Sequence, residues 1–320
     1  MVIGLAVLVY SADLFVDGAV GVARFCGMST LLIGMVIVGF GTSAPEMVVS
    51  ALSALQNNPE LALGNAYGSN IANIALILGV TALIAPTPVQ KNVIRKDIPI
   101  LVLVTFLALI LVWDGSVSRV DGFINLVVFF GLFGYNIYTE LHQKNKNTVS
   151  CLEDEGVKEN KKIGKSIFFL LLGLVFLVAS SRALVWGAVE VARALGVSDL
   201  LIGLTVVAVG TSLPELASSI AAARKGEHDL ALGNIIGSNM FNTLAVVGIA
   251  ATISPMSKVE HMVLYRDIPV MGCITLLLFI FGINFRKQPL GRINRFEGGF
   301  FVFAYVCYVA VLIMQACGKL

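Results

Sequence analysis

Gly41-Thr42-Ser43-Ala44-Pro45-Glu46, and then residues 64–73 reading GNAYGSNIAN, decide how this chain is read. Both stretches occur again. Residues 210–215 read GTSLPE and residues 233–242 read GNIIGSNMFN. Every matched residue is offset by 169, so Glu46 pairs with Glu215, Asn65 with Asn234 and Asn73 with Asn242. Aligned without gaps, residues 23–79 and 192–248 are identical at 26 of 57 positions. Each glutamate stands inside an apolar helical stretch. A carboxylate in hydrocarbon is costly, and one found there marks an ion or proton path. Two at equivalent places in a duplicated chain suggest one site shared between the halves of a transporter.

The composition agrees. Of 320 residues, 57% are hydrophobic and 13% charged, and the mean hydropathy is +0.89. Soluble domains carry about 25% charged residues. Lys and Arg fall in short clusters between apolar runs, so there is no basic face for nucleic acid. The five cysteines form no CxxC pair and read as packing residues. His142, His228 and His261 lie near expected loops, which leaves no histidine for an intramembrane proton relay. The apolar N-terminus reads as a first membrane helix and not as a cleaved signal.

Apolar runs bounded by turn or charged clusters predict ten transmembrane helices, at 2–24, 31–55, 61–84, 97–113, 120–141, 166–194, 199–223, 229–253, 267–284 and 297–316. The expected fold is therefore an all-α integral membrane protein. Residues 1–141 form one five-helix repeat and 166–320 the other. The mixed-charge segment 142–165 is read as a solvated linker. An odd number of helices per repeat inverts the second relative to the first. Placing the N-terminus outside puts about sixteen Lys and Arg on the inner side against about five outside, as the positive-inside rule requires. Both termini are then expected outside, with the linker in the cytoplasm. Asp13 and Arg182, also 169 apart, are isolated charges on the first and sixth helices, and a midplane salt bridge between them is expected.

Around each glutamate the chain concentrates oxygen. Proline removes a helical hydrogen bond and crowds the carbonyl four residues earlier; with Pro45 and Pro214 these are the carbonyls of Gly41 and Gly210. Thr42, Ser43, Thr211 and Ser212 add hydroxyls. Ser69 and Asn73 share one helix face, as do Ser238 and Asn242. Glycines 64, 68, 233 and 237 are expected to let helices approach closely. An all-oxygen shell with two carboxylates suits Ca²⁺ or Na⁺. It serves soft transition metals poorly.

These motifs resemble the two repeats of the sodium/calcium exchanger family, within the cation/calcium antiporters. The similarity covers essentially the whole membrane part. YSAD near the start and RKGEHDLALGNIIGSN are most like the bacterial inner-membrane branch. The resemblance implies ten helices, alternating access and Ca²⁺ export driven by Na⁺ entry, with no cofactor, in a monomer embedded in lipid. It also implies that Glu46 and Glu215 are the central ligands. Thr42, Ser43, Thr211, Ser212, Ser69 and Ser238 match hydroxyl ligands, and Asn73 and Asn242 match midplane positions. Gly39 and its counterpart Ala208 complete the set. Some relatives, including the potassium-dependent branch, carry Asp at the position of Asn242. Asn at both places leaves two formal negative charges and implies potassium independence.

Other classes fare worse. H⁺/Ca²⁺ antiport on the same fold remains the nearest alternative. An intramembrane hydrolase needs a nucleophile with a base, and Ser43 and Ser212 have a carboxylate three residues on but no histidine or lysine. A passive channel could use carboxylates too, but inverted halves favour alternating access.

Overall fold

A computed structural model describes residues 2–147, 156–196, 208–283 and 291–316. It is helical throughout, apart from short strand pairings. Eight helices among the described residues are long and apolar enough to cross a membrane. In chain order the elements begin with α1 (Val2–Cys26), α2 (Thr30–Leu55) and α3 (Pro59–Ile84). Next come α4 (Ile98–Val112), α5 (Arg119–Asn147) and α6 (Gly156–Ala194). A single turn, Ala208–Thr211, leads into α7 (Leu213–Arg224). The chain then forms α8 (His228–Ile253), α9 (Val263–Gly282) and α10 (Arg295–Ala316). The two expected spans outside the eight have distinct causes. The apolar part of α4 is only 15 residues, entered through a turn that carries Arg95, Lys96 and Asp97. The segment 199–207 that would lead into α7 lies outside the described residues.

The polar stretch expected as a loop from 142 is partly helical. α5 runs on to Asn147 and α6 already begins at Gly156. Its Lys, Glu and Gln are good helix formers. A helix already nucleated in the apolar span extends through them at little cost.

Burial sorts the helices. In α8, 89% of the apolar window is buried, and in α3 72%, against 17% in α10. The inner layer is thus α8 and α3 with α2 against them, while most of α10 lies at the periphery. α2 and α8 touch backbone to backbone. A Cβ at Gly233 or Gly237 would collide with the carbonyl oxygen of Leu31 or Met35, and one at Gly34 would lie 2.5 Å from the Leu230 oxygen. The counterparts Gly64 and Gly68 have no described atom within 4 Å of such a Cβ. The close approach expected of the four glycines is seen at Gly233 and Gly237; residues 200–204, which match Leu31–Met35, lie outside the described residues.

One contact is made twice. Gly79 of α3 meets Gly298 of α10, and Gly248 of α8 meets Gly122 of α5. Gly79 and Gly248 are equivalent in the two sequence repeats. Each repeat thus packs its third helix against the fifth helix of the other. Strands copy the exchange. β1 (Thr87–Val89), after α3, pairs antiparallel with β2 (Gly291–Ile293), before α10, with Thr87 opposite Ile293. Met256, after α8, bridges to Val117, before α5.

α1 and α6 lie antiparallel. Gly4 meets Leu184, Phe15 meets Gly173, Gly18 meets Leu170 and Gly21 meets Ser166. This register corrects the expected salt bridge between Asp13 and Arg182. Position 13 lies level with about 175, and position 182 with about 6, so the two charges are roughly 10 Å apart along the axes. Asp13 instead meets Lys225, whose Nζ is 3.8 Å from its carboxylate and 2.7 Å from that of Asp17.

Candidate functional site

Thr42, Ser43 and Glu46 follow one another on α2, beyond a π-helical turn at Gly34–Val38. Pro45 sits within the continuous helix Gly39–Leu55. The matching break is sharper in the second repeat. There Ser212 (φ −90°, ψ 7°) separates the turn Ala208–Thr211 from α7, and Pro214 opens α7 with Glu215 in its first turn. The Gly210 carbonyl left over by the break accepts a hydrogen bond from Ser181 Oγ of α6 at 3.2 Å.

The remaining polar residues stand on α3 and α8. Ser69 and Asn73 are buried on α3, Ser238 and Asn242 on α8. Both asparagines fall in π-helical turns, Ala72–Leu78 and Phe241–Val246. Such turns insert a residue into the helix and occur frequently at functional sites. Apolar periodicity does not reveal them, because one wide turn leaves the pattern on either side intact.

Glu46 and Glu215 are each 2% exposed. Ser43 Oγ donates to Glu215 Oε1 at 3.4 Å, which joins the two motif helices directly. Thr42 Oγ1 lies 3.0 Å from the Val38 carbonyl and 3.2 Å from Asn234 Oδ1. Asn234 Nδ2 in turn donates to Ser218 Oγ at 3.1 Å and Ser219 Oγ at 2.9 Å. Asn234 was noted in the repeat but not counted among the site residues. Its role as the knot between α2, α7 and α8 depends on tertiary contacts.

What stands out is the oxygen left without a partner. Glu46 Oε2, Glu215 Oε2, Ser212 Oγ, Ser238 Oγ, Asn73 Oδ1 and Asn242 Oδ1 are buried and make no hydrogen bond. An unsatisfied buried polar group costs about 1–3 kcal/mol. Six such oxygens stand on or beside four helices of the inner bundle, and a hard cation such as Ca²⁺ takes six to eight oxygens. Gly39 is buried beside the backbone of Ser238, 3.2 Å from the place of a Cβ. Thr211 is half-buried. Ala208 begins the turn before the break. Among the described contacts, Ser69, Asn73 and Asn242 make no hydrogen bond to either glutamate.

A cavity of about 250 Å³ reaches this level. Glu46, Asn65, Thr211, Pro214, Ser181 and Arg182 are among its lining residues. Asn65, the counterpart of Asn234, has a buried Nδ2 with no partner. The two repeats differ here in sequence as well, since Ser218, which accepts from Asn234, is matched by Val49 in the wall of this cavity. Arg182 is close enough for its charge to act on Glu46. No basic side chain is within ion-pair distance of either glutamate among the described residues.

Comparison with known proteins fits this geometry. The family model described as sodium/calcium exchanger protein matches residues 1–138 and 165–314. CaxA of Alkalimonas amylolytica is 42% identical over 312 residues, covering 98% of this chain and 97% of that protein. The inner membrane protein YrbG of Escherichia coli is 36% identical, covering 96% and 95%. The sodium/calcium exchanger MaX1 of Methanosarcina acetivorans is 31% identical, covering 98% and 97%. A solved structure of the sodium-calcium exchanger NCX_Mj, soaked with Na⁺ and Sr²⁺, superposes with a TM-score of 0.82 at 32% identity, covering 97% of this chain and 96% of that one. A family model matched along nearly the whole chain, and relatives matched over nearly their full length, place this protein in the sodium/calcium exchanger family.

Proposed function

We propose that this protein is a secondary antiporter that exchanges Na⁺ for Ca²⁺ across a bacterial inner membrane, with Na⁺ entry driving Ca²⁺ out. Its fold is two inverted five-helix repeats, residues 1–141 and 166–320, joined by a cytoplasmic segment at 142–165. It has ten spans, both termini lie outside, and it works as a monomer without a cofactor. The observation that carries the reading is the set of six buried, partnerless oxygens on Glu46, Glu215, Ser212, Ser238, Asn73 and Asn242. Two ionised carboxylates hold one divalent cation without net charge. Taking charge out of water is tolerable only when it is compensated in this way. The names of the relatives MaX1 and NCX_Mj support the choice of ions.

The asymmetry at the site supports an outward-open state. On the linker side, the Thr42–Asn234 contact and the serines of α7 close the path. On the other side the cavity at Asn65 and Thr211 reaches Glu46. Alternating access would open the path at Asn234 and close the one at Asn65. Na⁺ and Ca²⁺ compete for the same carboxylates, so only a loaded site can close. The test of coupling is Ca²⁺ uptake into proteoliposomes under an imposed Na⁺ gradient or an imposed pH gradient. Uptake driven by Na⁺ supports the reading. Uptake driven only by the pH gradient replaces it with H⁺/Ca²⁺ antiport.

A further inference from the structure

A second and larger cavity, of about 670 Å³, lies on the linker side of the molecule. Its wall includes Asp97, Asn136, Glu140 and Asp229, with Met35 at its inner end, and the basic residues Arg95 and Lys96 also line it. Met35 stands on α2 about 12 Å of helix below Ser43. The cavity is thus on the path to the site but stops short of it.

Asp97 is the telling residue. It is 4% exposed, yet no side chain forms an ion pair or hydrogen bond with it among the described residues. Its counterpart after the second repeat, Asp267 in the same Asp-Ile-Pro motif, is fully compensated. Arg266 bonds it from Nε at 2.7 Å and Nη2 at 3.1 Å, and Tyr308 donates to it at 2.8 Å. At Asp97 the neighbouring Lys96 lies over the Tyr135 ring, 5.6 Å from its centre, and acts on the carboxylate through its charge without an ion-pair contact. Arg95 and Lys96 are both exposed. Asn136 provides an independent observation. It is 6% exposed, it lines the cavity, and its buried Oδ1 makes no hydrogen bond. Either end of that amide can be turned inward. Glu140 Oε1 accepts the Ser29 N–H, which leaves Oε2. Asp229 is engaged by Gln90.

We propose that Asp97, Asn136 and Glu140 form a second cation site, a linker-side vestibule where a divalent cation is held before it passes to Glu46 and Glu215. Among the described residues, no three acidic, histidine or cysteine side chains converge on a metal-sized point. The cation therefore keeps part of its water, which the cavity has room for. A loosely built oxygen site of this kind binds Ca²⁺ at about 10⁻⁴–10⁻³ M. That weakness suits a waypoint, which has to release its ion. The identification of the ion rests on the exchange activity proposed above.

Equilibrium binding of radiolabelled Ca²⁺ to the purified full-length protein tests the site apart from transport. The central site is first removed by Glu46→Gln together with Glu215→Gln. The expected result is residual millimolar binding that weakens at least about tenfold with Asp97→Asn, where one charge is lost. Glu140→Gln, at a half-buried position where the amide oxygen can still accept the Ser29 N–H, is expected to weaken it by a smaller factor. No residual binding, or residual binding that ignores both substitutions, overturns the vestibule and leaves Lys96 as the plain counter-charge of Asp97. The two readings fail separately. Na⁺-driven uptake without residual binding keeps the exchanger and removes the vestibule, while residual binding without Na⁺-driven uptake does the reverse.

Discussion

Ser43 of α2 reaches across to Glu215 of α7 and donates a hydrogen bond at 3.4 Å, with both residues buried. The two residues are 172 apart in sequence and sit on the two copies of one motif. The serine of one repeat thus serves the carboxylate of the other. A site assembled this way exists only when the halves are correctly docked, so it is sensitive to whatever holds them together.

The α2–α8 contact is one such hold. Gly233→Ala and Gly237→Ala push a methyl into the Leu31 and Met35 carbonyls. Each is expected to destabilise the protein by about 1–3 kcal/mol. Gly131→Ala and Gly134→Ala, at exposed positions of α5 with no described atom within 4 Å of the new methyl, should be nearly neutral. Thermal unfolding in detergent, followed by size-exclusion chromatography, checks the contrast. Equal effects at all four positions would refute it.

Asn234→Ala removes the amide that binds Thr42, Ser218 and Ser219. It leaves those hydroxyls short of a partner, at a cost of about 1–3 kcal/mol. The linker-side closure should loosen with it. A cysteine placed at Met35 then becomes more reactive to a membrane-impermeant thiol reagent added from the linker side. Unchanged labelling would mean that Asn234 does not hold the closure.

Arg182 shares the cavity with Glu46 and repels an arriving cation. Arg182→Gln should lower the KM for Ca²⁺ on that side by about 3- to 10-fold at low salt. The difference should shrink as ionic strength screens the charge. A KM that stays fixed, or a change insensitive to salt, would assign Arg182 a packing role only.

Asn242 sits in the π-helical turn of α8 with a partnerless Oδ1. Asn242→Asp gives the site a third formal negative charge. It should change ion preference or coupling and could introduce potassium dependence. Transport assayed across Na⁺, K⁺ and pH checks this, and a profile identical to the parent would remove Asn242 as a tuning position.

Much of the fold and the chemistry was legible because a duplicated motif reports twice. Glu46 and Glu215 could be named from apolar context alone, and turn clusters marked most helix ends within a few residues. What escaped depends on geometry that periodicity does not encode. The π-helical turns at 72–78 and 241–246 change direction without changing pattern. The pairing of Asp13 followed from equivalence in sequence, but the register of α1 against α6 decides reach, and it hands Asp13 to Lys225. The difference between Asn65 and Asn234 lies outside the motifs, since Ser218, which binds Asn234, is matched by Val49 in the wall beside Asn65.

The central claim is that Glu46 and Glu215 together hold the transported cation. The most direct measurement is Na⁺-gradient-driven uptake of radiolabelled Ca²⁺ into proteoliposomes holding equal amounts of the parent, Glu46→Gln or Glu215→Gln protein. Glutamine keeps the shape and removes one charge, which leaves a divalent cation undercompensated in a low-dielectric site. The account predicts robust uptake by the parent and none above background by either variant, with all three proteins folded and inserted alike. Parental rates in either variant would contradict it.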